Sequence, residues 1–149
     1  MKLFFTICCT LVVGMGFCQQ SYVLYSPDSS LRLEVKTGKQ LSYSLFADDV
    51  QLMHSSAVDL RLNNGKKLSD QLAVKKSFYR KVKETVNVAV SYRRPAISEE
   101  YQQLMLQFKQ PFTIEFRVYN NGMAYRIGTN FKSDIVIENE TALFEMDPQ

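Results

Sequence analysis

Residues 112–127 read FTIEFRVYNNGMAYRI, and this stretch predicts a β-hairpin. Along its first half, apolar side chains alternate with mostly polar ones. The apolar residues are Phe112, Ile114, Phe116 and Val118. This period of two places one face of a strand in a core and the other face in water. Asn121-Gly122 predicts a two-residue type I′ turn, because both central residues need φ > 0, which Asn tolerates and Gly adopts without a Cβ clash.

The predicted turn also sets the register of the hairpin. Its apolar pairs are Val118–Tyr125 and Phe116–Ile127. On the other face Arg117 lies opposite Arg126, and two facing arginines repel each other. The pair therefore predicts an acidic neighbour, either Glu115 beside Arg117 or a carboxylate on another layer, and the sequence alone does not choose between them. Two interpretations stay open: solvated surface arginines, which contribute little to stability, or a buried interface.

The rest of the chain predicts more strands of the same kind. A second hairpin closes through Thr37-Gly38-Lys39, with pairs Val35–Leu41, Leu33–Tyr43 and Leu31–Leu45. Asp48-Asp49 predicts a turn, and residues 69–73 predict a short helical turn. Further strands are predicted over residues 50–54, 57–62, 74–79, 82–92, 99–108, 135–137 and 141–146, with a break at Arg93-Arg94-Pro95. About ten short strands separated by turn signals predict an all-β fold, an antiparallel β-sandwich.

Composition places the chain among ordinary globular proteins. Hydrophobic residues make up 46% of the 149 residues and charged residues 22%, which suits a single domain with one core. The formal net charge is +3. Its basic residues are interspersed with acidic ones rather than gathered into a stripe, so the sequence does not indicate nucleic-acid binding.

The first 18 residues predict a signal peptide. Met1-Lys2 is a short basic start, and the segment from Leu3 to Phe17 carries no charge. This segment is shorter than a typical membrane-spanning helix. Cleavage is expected between Cys18 and Gln19, with lipoprotein processing at Cys18 as the alternative. The domain then covers residues 19–149, without cysteine and without a membrane span in the mature chain, so neither disulfides nor thiolate chemistry is expected there. The predicted location is exported, either periplasmic or secreted.

Several motifs together resemble the N-terminal domain of glycoside hydrolase family 97. The most specific part is EEYQQLMLQFKQPFTIEFRVYNNGMAYRI, residues 99–127, where a strand leads through a polar turn ending in Gly into an Ala/Gly-Phe/Tyr-Arg strand. SPDSSLRLEV, from Ser26, resembles the family's opening strand, and LSYSLFADDVQLMHSSAVDLRL resembles the next two. The hairpin residues that fit are Arg117, Tyr119, Asn120, Asn121, Gly122, Ala124, Tyr125 and Arg126.

The resemblance implies a galactose-mutarotase-like super-sandwich, incomplete here, that belongs to an exported hydrolase of α-glucosidic or α-galactosidic bonds. It also implies partners: a downstream (β/α)₈ catalytic barrel, an oligosaccharide substrate and, beside the active site, calcium. Catalytic carboxylates and metal ligands of the family fall on that barrel, so none is assigned to this chain, and sugar-binding residues stay unassigned. Members of the α-glucosidase type carry a Trp-containing segment after Glu-Thr. Here Glu84-Thr85 continues without Trp, which leaves the substrate branch open.

Other candidate constellations have simpler interpretations. Asp48-Asp49 suggests calcium, but two acids in a turn without spaced partners are typical of a solvated loop, and Glu99-Glu100 reads as a charged strand entry. His54 is the one histidine, and adjacent serines do not make a triad. Asn139-Glu140-Thr141 fits the glycosylation sequon. Tyrosines that could stack on sugars, or serve in packing instead, are Tyr43, Tyr79, Tyr92 and Tyr101. The alternative function is a free-standing secreted β-sandwich that binds glycan or protein.

Overall fold

The computed structural model describes residues 19–87 and 96–146, which form two antiparallel β-sheets and one turn of 3₁₀ helix at Leu68–Gln71. The predicted all-β sandwich is confirmed. The predicted signal peptide, Tyr92 and the Arg93-Arg94-Pro95 break lie outside the described residues. The strands are β1 (Gln20–Tyr25), β2 (Leu31–Thr37), β3 (Leu41–Ala47), β4 (Val50–Leu62), β5 (Val74–Asn87), β6 (Ala96–Phe108), β7 (Phe112–Tyr119), β8 (Gly122–Thr129) and β9 (Ile137–Ala142).

Four consecutive strands form a meander in each sheet, and β9 joins the first sheet beside β4. The first sheet has the order β1-β2-β3-β4-β9 and the second has the order β5-β6-β7-β8. Apolar residues of their facing sides form one core, in which Tyr43 of β3 lies 6.0 Å from Phe116 of β7 and 5.9 Å from Tyr125 of β8, measured between ring centroids. The alternation that predicted the strands is thus the alternation between this core and the outer faces. No helix among the described residues is long and apolar enough to cross a membrane.

The β7–β8 hairpin forms where predicted, but its register is wrong by two residues. Phe116, not Val118, lies opposite Tyr125, and the two-residue loop is Asn120-Asn121. The observed register places Glu115, instead of Arg117, opposite Arg126, so an attractive pair replaces a repulsive one. A shift of two residues keeps every side chain on its face, so the predicted apolar face is confirmed although its pairs are not.

Gly122 therefore does not have the backbone conformation predicted for it. In the described part of the chain φ is positive at Ser29, Asp48, Asp49 and Gly65, and the type I′ prediction for Asn121-Gly122 is wrong. Gly122 begins β8, and a Cβ placed on it would meet no atom within 4 Å. The residue is thus an ordinary strand position.

We expect Gly122→Val to change the free energy of unfolding by about 0.5 kcal/mol or less, because the site is open and β-branched residues suit a strand. Gly65→Val is the matched comparison, since Gly65 has φ of 81° and a β-branched residue there should cost about 1 to 3 kcal/mol. Urea denaturation of both variants measures the difference. Equal losses would contradict the turn described here.

The hairpin of β2 and β3 differs from its prediction in the same way. Leu33 lies opposite Leu45 and Val35 opposite Tyr43, two positions from the predicted partners. Thr37 is 2% exposed and continues the buried alternation of β2, so the strand extends through it and the loop falls one residue later. The faces are again as predicted.

Two pairs of predicted strands are each one long strand. Residues 50–54 and 57–62 both belong to β4, whose pairing with β3 shifts register within the strand. Residues 74–79 and the described part of 82–92 belong to β5.

The predicted helical turn at 69–73 is found one residue earlier, at Leu68–Gln71. There Ser69 donates its backbone N–H (3.0 Å) and its hydroxyl (2.7 Å) to the Asp59 carboxylate.

Candidate functional site

The turns at one end of the sandwich are hydrogen-bonded to one another. In the β1–β2 turn, the Ser26 hydroxyl donates to Asp28 Oδ1 (2.6 Å) and accepts from the Leu31 backbone N–H (2.9 Å). The Asp28 backbone N–H in turn donates to Asn120 Oδ1 of the β7–β8 turn (3.2 Å). The two most characteristic motifs of the sequence, 94 positions apart at Ser26 and Asn120, therefore meet. We call this the turn end of the sandwich.

The β3–β4 turn joins the same end. Asp48 and Asp49 have φ of 44° and 68° and form the predicted turn. The Asp48 backbone N–H donates to the Ser30 carbonyl oxygen at 3.1 Å. Across residues 19–87 and 96–146, no three side chains of the His, Cys, Asp and Glu types converge as metal ligands would. Asp tolerates the left-handed backbone conformation that both positions of this turn adopt.

On the outer face of the second sheet, next to the turn end, a buried carboxylate binds two guanidinium groups. Glu115 is 4% exposed. Its Oε1 lies 2.5 Å from Arg117 Nε and its Oε2 lies 2.6 Å from an Arg126 terminal nitrogen. The acidic neighbour predicted for the two arginines is thus Glu115. We call these three residues the Glu115 cluster.

The cluster fixes the protonation of its members. Burial alone would raise the pKa of Glu115, but hydrogen bonds and charges from Arg117 and Arg126 outweigh it and hold that pKa below 4.5. The hydrogen bond to Glu115 likewise raises the pKa of Arg117. Both partners are therefore charged at neutral pH, and the carboxylate has both oxygens occupied. A general base or nucleophile needs a free oxygen, so this glutamate has the features of a structural group.

Aromatic rings extend the cluster towards the turn end. The Arg117 guanidinium carbon lies 4.6 Å from the ring centroid of Tyr101, a cation–π geometry. Tyr101 lies 5.1 Å from Tyr119 between ring centroids. Burial raises the pKa of the Tyr101 hydroxyl. A small open cavity of about 220 Å³ is bounded by Glu115, Arg117, Tyr119, Ala124, Tyr125 and Arg126.

The tyrosines predicted as sugar-stacking candidates are not brought together. Tyr43 is 1% exposed, and its hydroxyl donates to the Leu143 carbonyl oxygen at 3.1 Å. Burial raises its pKa to about 12. Tyr101 is also buried, whereas Tyr79 on β5 is 54% exposed. Tyr43 and Tyr101 thus serve in packing, and of the described candidates Tyr79 alone offers its ring to solvent.

The Ser56 hydroxyl, close to His54 in sequence, is hydrogen-bonded to backbone groups. The Ser56 hydroxyl donates to the His54 backbone carbonyl at 3.0 Å and accepts from the Glu145 backbone N–H at 3.0 Å. The His54 backbone N–H donates to the Glu145 carbonyl oxygen at 2.7 Å. Glu99 and Glu100 lie on β6, where Glu100 forms an ion pair of 3.0 Å with Lys83.

Comparison with known families places these features in context. The sequence profile of the glycosyl-hydrolase 97 N-terminal family matches residues 24–149. The chain belongs to this family. Among curated proteins it is similar to a retaining alpha-galactosidase of Bacteroides thetaiotaomicron, with 28% identity over 141 residues. That alignment covers 95% of this chain and 21% of the relative, so the chain spans about a fifth of that relative's length.

Solved structures of two enzymes have the same fold over this region. A family 97 enzyme from Pseudoalteromonas sp. strain K8 in complex with acarbose superposes with a TM-score of 0.72 at 15% identity, covering 85% of this chain and 20% of that one. A beta-arabinopyranosidase superposes with a TM-score of 0.72 at 17% identity, covering 86% and 22%. This domain is therefore a small part of much longer enzymes in its relatives.

Four residues of the hairpin motif have identifiable contacts in this family 97 domain. Arg117 and Arg126 bind Glu115, Tyr119 packs on Tyr101, and Asn120 accepts from Asp28. Sequence reasoning missed the contact between the two motif turns, because nothing in local pattern relates residues so far apart. Glu84 and Thr85, after which the sequence lacks the Trp of α-glucosidase-type members, lie near the end of β5.

Proposed function

We propose that this chain is a portion of the non-catalytic N-terminal sandwich of an exported glycoside hydrolase that acts on α-glucosidic or α-galactosidic bonds of oligosaccharides. A downstream (β/α)₈ domain of the same polypeptide would supply the catalytic carboxylates, and the sandwich would pack against it. Family membership and the short share of each relative that the chain covers support this proposal. The retaining alpha-galactosidase name of one relative and the beta-arabinopyranosidase name of another leave the sugar open.

The observation that carries the proposal is a set of exposed apolar side chains at the two ends of β9, which we call the apolar strip. Its members, with exposed fractions of 42% to 66%, are Val136, Ile137, Leu143, Phe144 and Met146. β9 and β8 are the end strands of their sheets, so unpaired strand edges accompany this apolar surface. Such surfaces are aggregation hazards unless something covers them. A packed neighbouring domain would cover this one.

The strip is held in place rather than loosely attached. The Leu143 carbonyl accepts from the Tyr43 hydroxyl, and the Phe144 ring lies 6.5 Å from the Tyr43 ring, edge to face. The Met146 backbone bridges to Met53 of β4. Because these contacts come from the core and from β4, the part of the strip at residues 143–146 is preorganised, which lowers the entropy lost when a partner binds.

Calcium, which the family resemblance implies, does not fit the described part of this chain. Residues 19–87 and 96–146 offer no convergent set of carboxylate ligands, and the carboxylate of Glu115 already binds two arginines. We therefore assign any calcium to the downstream domain and derive no step through it here. Hydrolysis itself needs two carboxylates about 5 Å or about 6.5 to 9.5 Å apart across the scissile bond, and these too belong to the proposed barrel.

Isolation of the native polypeptide from its source tests the proposal. We expect a mass well above the 17.2 kDa of this chain, an N-terminus at Gln19, and release of nitrophenol from a nitrophenyl α-glucoside or α-galactoside. A native product that ends at Gln149 and binds glycan or protein without hydrolysis would instead support a free-standing module.

The 149-residue chain by itself should hydrolyse neither substrate, with or without calcium, because the proposal assigns the acid and the nucleophile or base to the downstream domain. Nitrophenyl glycoside assays of the purified chain measure this. Glu84→Gln and Glu99→Gln are informative controls, since these two glutamates lie directly opposite each other on β5 and β6. Turnover that either substitution abolishes would contradict the assignment of catalysis to a downstream domain.

A further inference from the structure

The hairpin of β5 and β6 extends past the rest of the second sheet. β6 pairs with β7 from Gln102 to Gln107, whereas β5 and β6 continue to pair with each other as far as Asn87 and Ala96. Residues 82–87 and 96–101 thus form a two-stranded ribbon, which we call the arm. Six residues a strand give it a length of about 20 Å. Two-stranded ribbons are marginally stable in water by themselves.

The arm starts at the turn end of the sandwich. Its base pair is Val82 and Tyr101, both about 95% buried. Tyr101 contacts Tyr119, which adjoins the Asn120-Asn121 turn. β9 also runs towards this end, and Met146 bridges to Met53 a few residues after the Asp48-Asp49 turn. A domain that follows residue 149 would therefore begin at the end from which the arm projects.

One face of the arm carries side chains that the ribbon itself does not satisfy. Val86 (41% exposed) lies opposite Ile97 (50% exposed), an apolar pair in solvent. The next pair on the same face is Glu84 opposite Glu99, and like charges directly opposite destabilise a sheet. In residues 19–87 and 96–146 no ion pair joins either carboxylate to a cation.

The opposite face of the arm has neither an exposed apolar pair nor two like charges facing each other. There Thr85 lies opposite Ser98, and Lys83 and Glu100 form an ion pair of 3.0 Å. These small polar and paired groups suit water. The ribbon is therefore two-sided, with one satisfied face and one face that needs apolar cover and positive charge.

We propose that the arm docks its Val86–Ile97 and Glu84–Glu99 face on the catalytic domain of the same polypeptide, against an apolar surface rimmed by lysine or arginine. This inference rests on the proposed function and names the element that makes the contact. Apolar cover would bury the Val86–Ile97 pair, and cations would relieve the repulsion between the two glutamates. The partner would also order a ribbon that is marginal alone.

Hydrogen exchange of the native polypeptide, followed by mass spectrometry, tests the docking. The backbone amides of the arm should exchange at rates within about tenfold of the rates for core strand β7. The double variant Glu84→Lys with Glu99→Lys keeps two like charges facing each other but reverses their sign, so its effect reports on the partner. It should speed exchange in the arm at least tenfold and leave β7 unchanged. Thr85→Ala, on the satisfied face, is the control and should have no such effect.

The outcomes separate the two proposals. Fast exchange of the arm in an active, long polypeptide, or no response to the charge reversal, overturns the docking but leaves the proposed function intact. Protection of the arm that disappears on dilution assigns the face to a second copy and also overturns the docking. A native polypeptide without a downstream domain or glycosidase activity overturns the proposed function and the docking together.

Discussion

Phe116→Ala should lower the free energy of unfolding by about 3 to 5 kcal/mol, because it removes a fully buried aromatic ring and leaves a cavity. Phe116 is 0% exposed and lies 6.0 Å from Tyr43 and 6.1 Å from Tyr125 between ring centroids. These three rings come from both sheets, so the loss falls on the interface between the sheets. Urea denaturation followed by circular dichroism measures it.

Thr113→Ala is the matched control on the outer face of β7. Thr113 is half-buried and lies on the opposite side of the strand from Phe116, so its replacement should change stability by about 0.5 kcal/mol or less. Equal losses for the two variants would mean that the assignment of faces in this strand is wrong.

Glu115→Gln should lower the free energy of unfolding by about 2 to 3 kcal/mol, because a buried charged hydrogen-bond acceptor for two guanidinium groups is lost. Arg126 is 71% exposed and stays hydrated, which keeps the loss below that of a fully buried pair. Glu138→Gln is the control. It removes an ion pair of 3.0 Å with Arg61 in which both side chains are about half exposed, and should cost about 0.5 kcal/mol.

The same residue gives the protein a defined acid sensitivity. The folded-state pKa of Glu115 lies below 4.5, so folding favours its ionised form. Its contribution is therefore fully present above about pH 4.5 and is lost as the pH falls through the folded pKa. The stability difference between the native protein and Glu115→Gln should shrink below pH 4.5. A difference that stays constant from pH 7 to pH 3 would contradict the buried ion pair.

Periodicity predicted which side chains face the core, but not which residues face each other. In both predicted hairpins the partner was wrong by two positions, a shift that leaves the faces unchanged. The turn signals could not settle this, because Asn120, Asn121 and Gly122 offer two overlapping two-residue loops. Pairing of Glu115 with Arg126 and the bond from Asp28 to Asn120 favour the observed loop. Each of these contacts involves at least one residue outside the turn, so the turn sequence alone could not reveal it.

The Glu115 cluster was partly predictable and the arm was not. Two arginines on one face required an acid, and Glu115 was the nearest candidate on that face. The arm depends instead on where β7 stops pairing with β6, which is a property of three strands together. For the same reason, one long β5 looked like two strands in sequence. Its exposed edge tolerates the polar residues that interrupt its apolar pattern.

The meander order of the two sheets has a consequence for folding kinetics. Within β1 to β4, and again within β5 to β8, each strand pairs with its neighbours in sequence, so most pairing closes short loops. In contrast, β9 pairs with β4, and four strands separate the two in sequence. Because closing long loops is slow, we expect the two meanders to form early and β9 to dock last. During synthesis the first eight strands would therefore be able to assemble while the segment carrying the apolar strip is still emerging, which would delay exposure of that strip until a core exists to hold it.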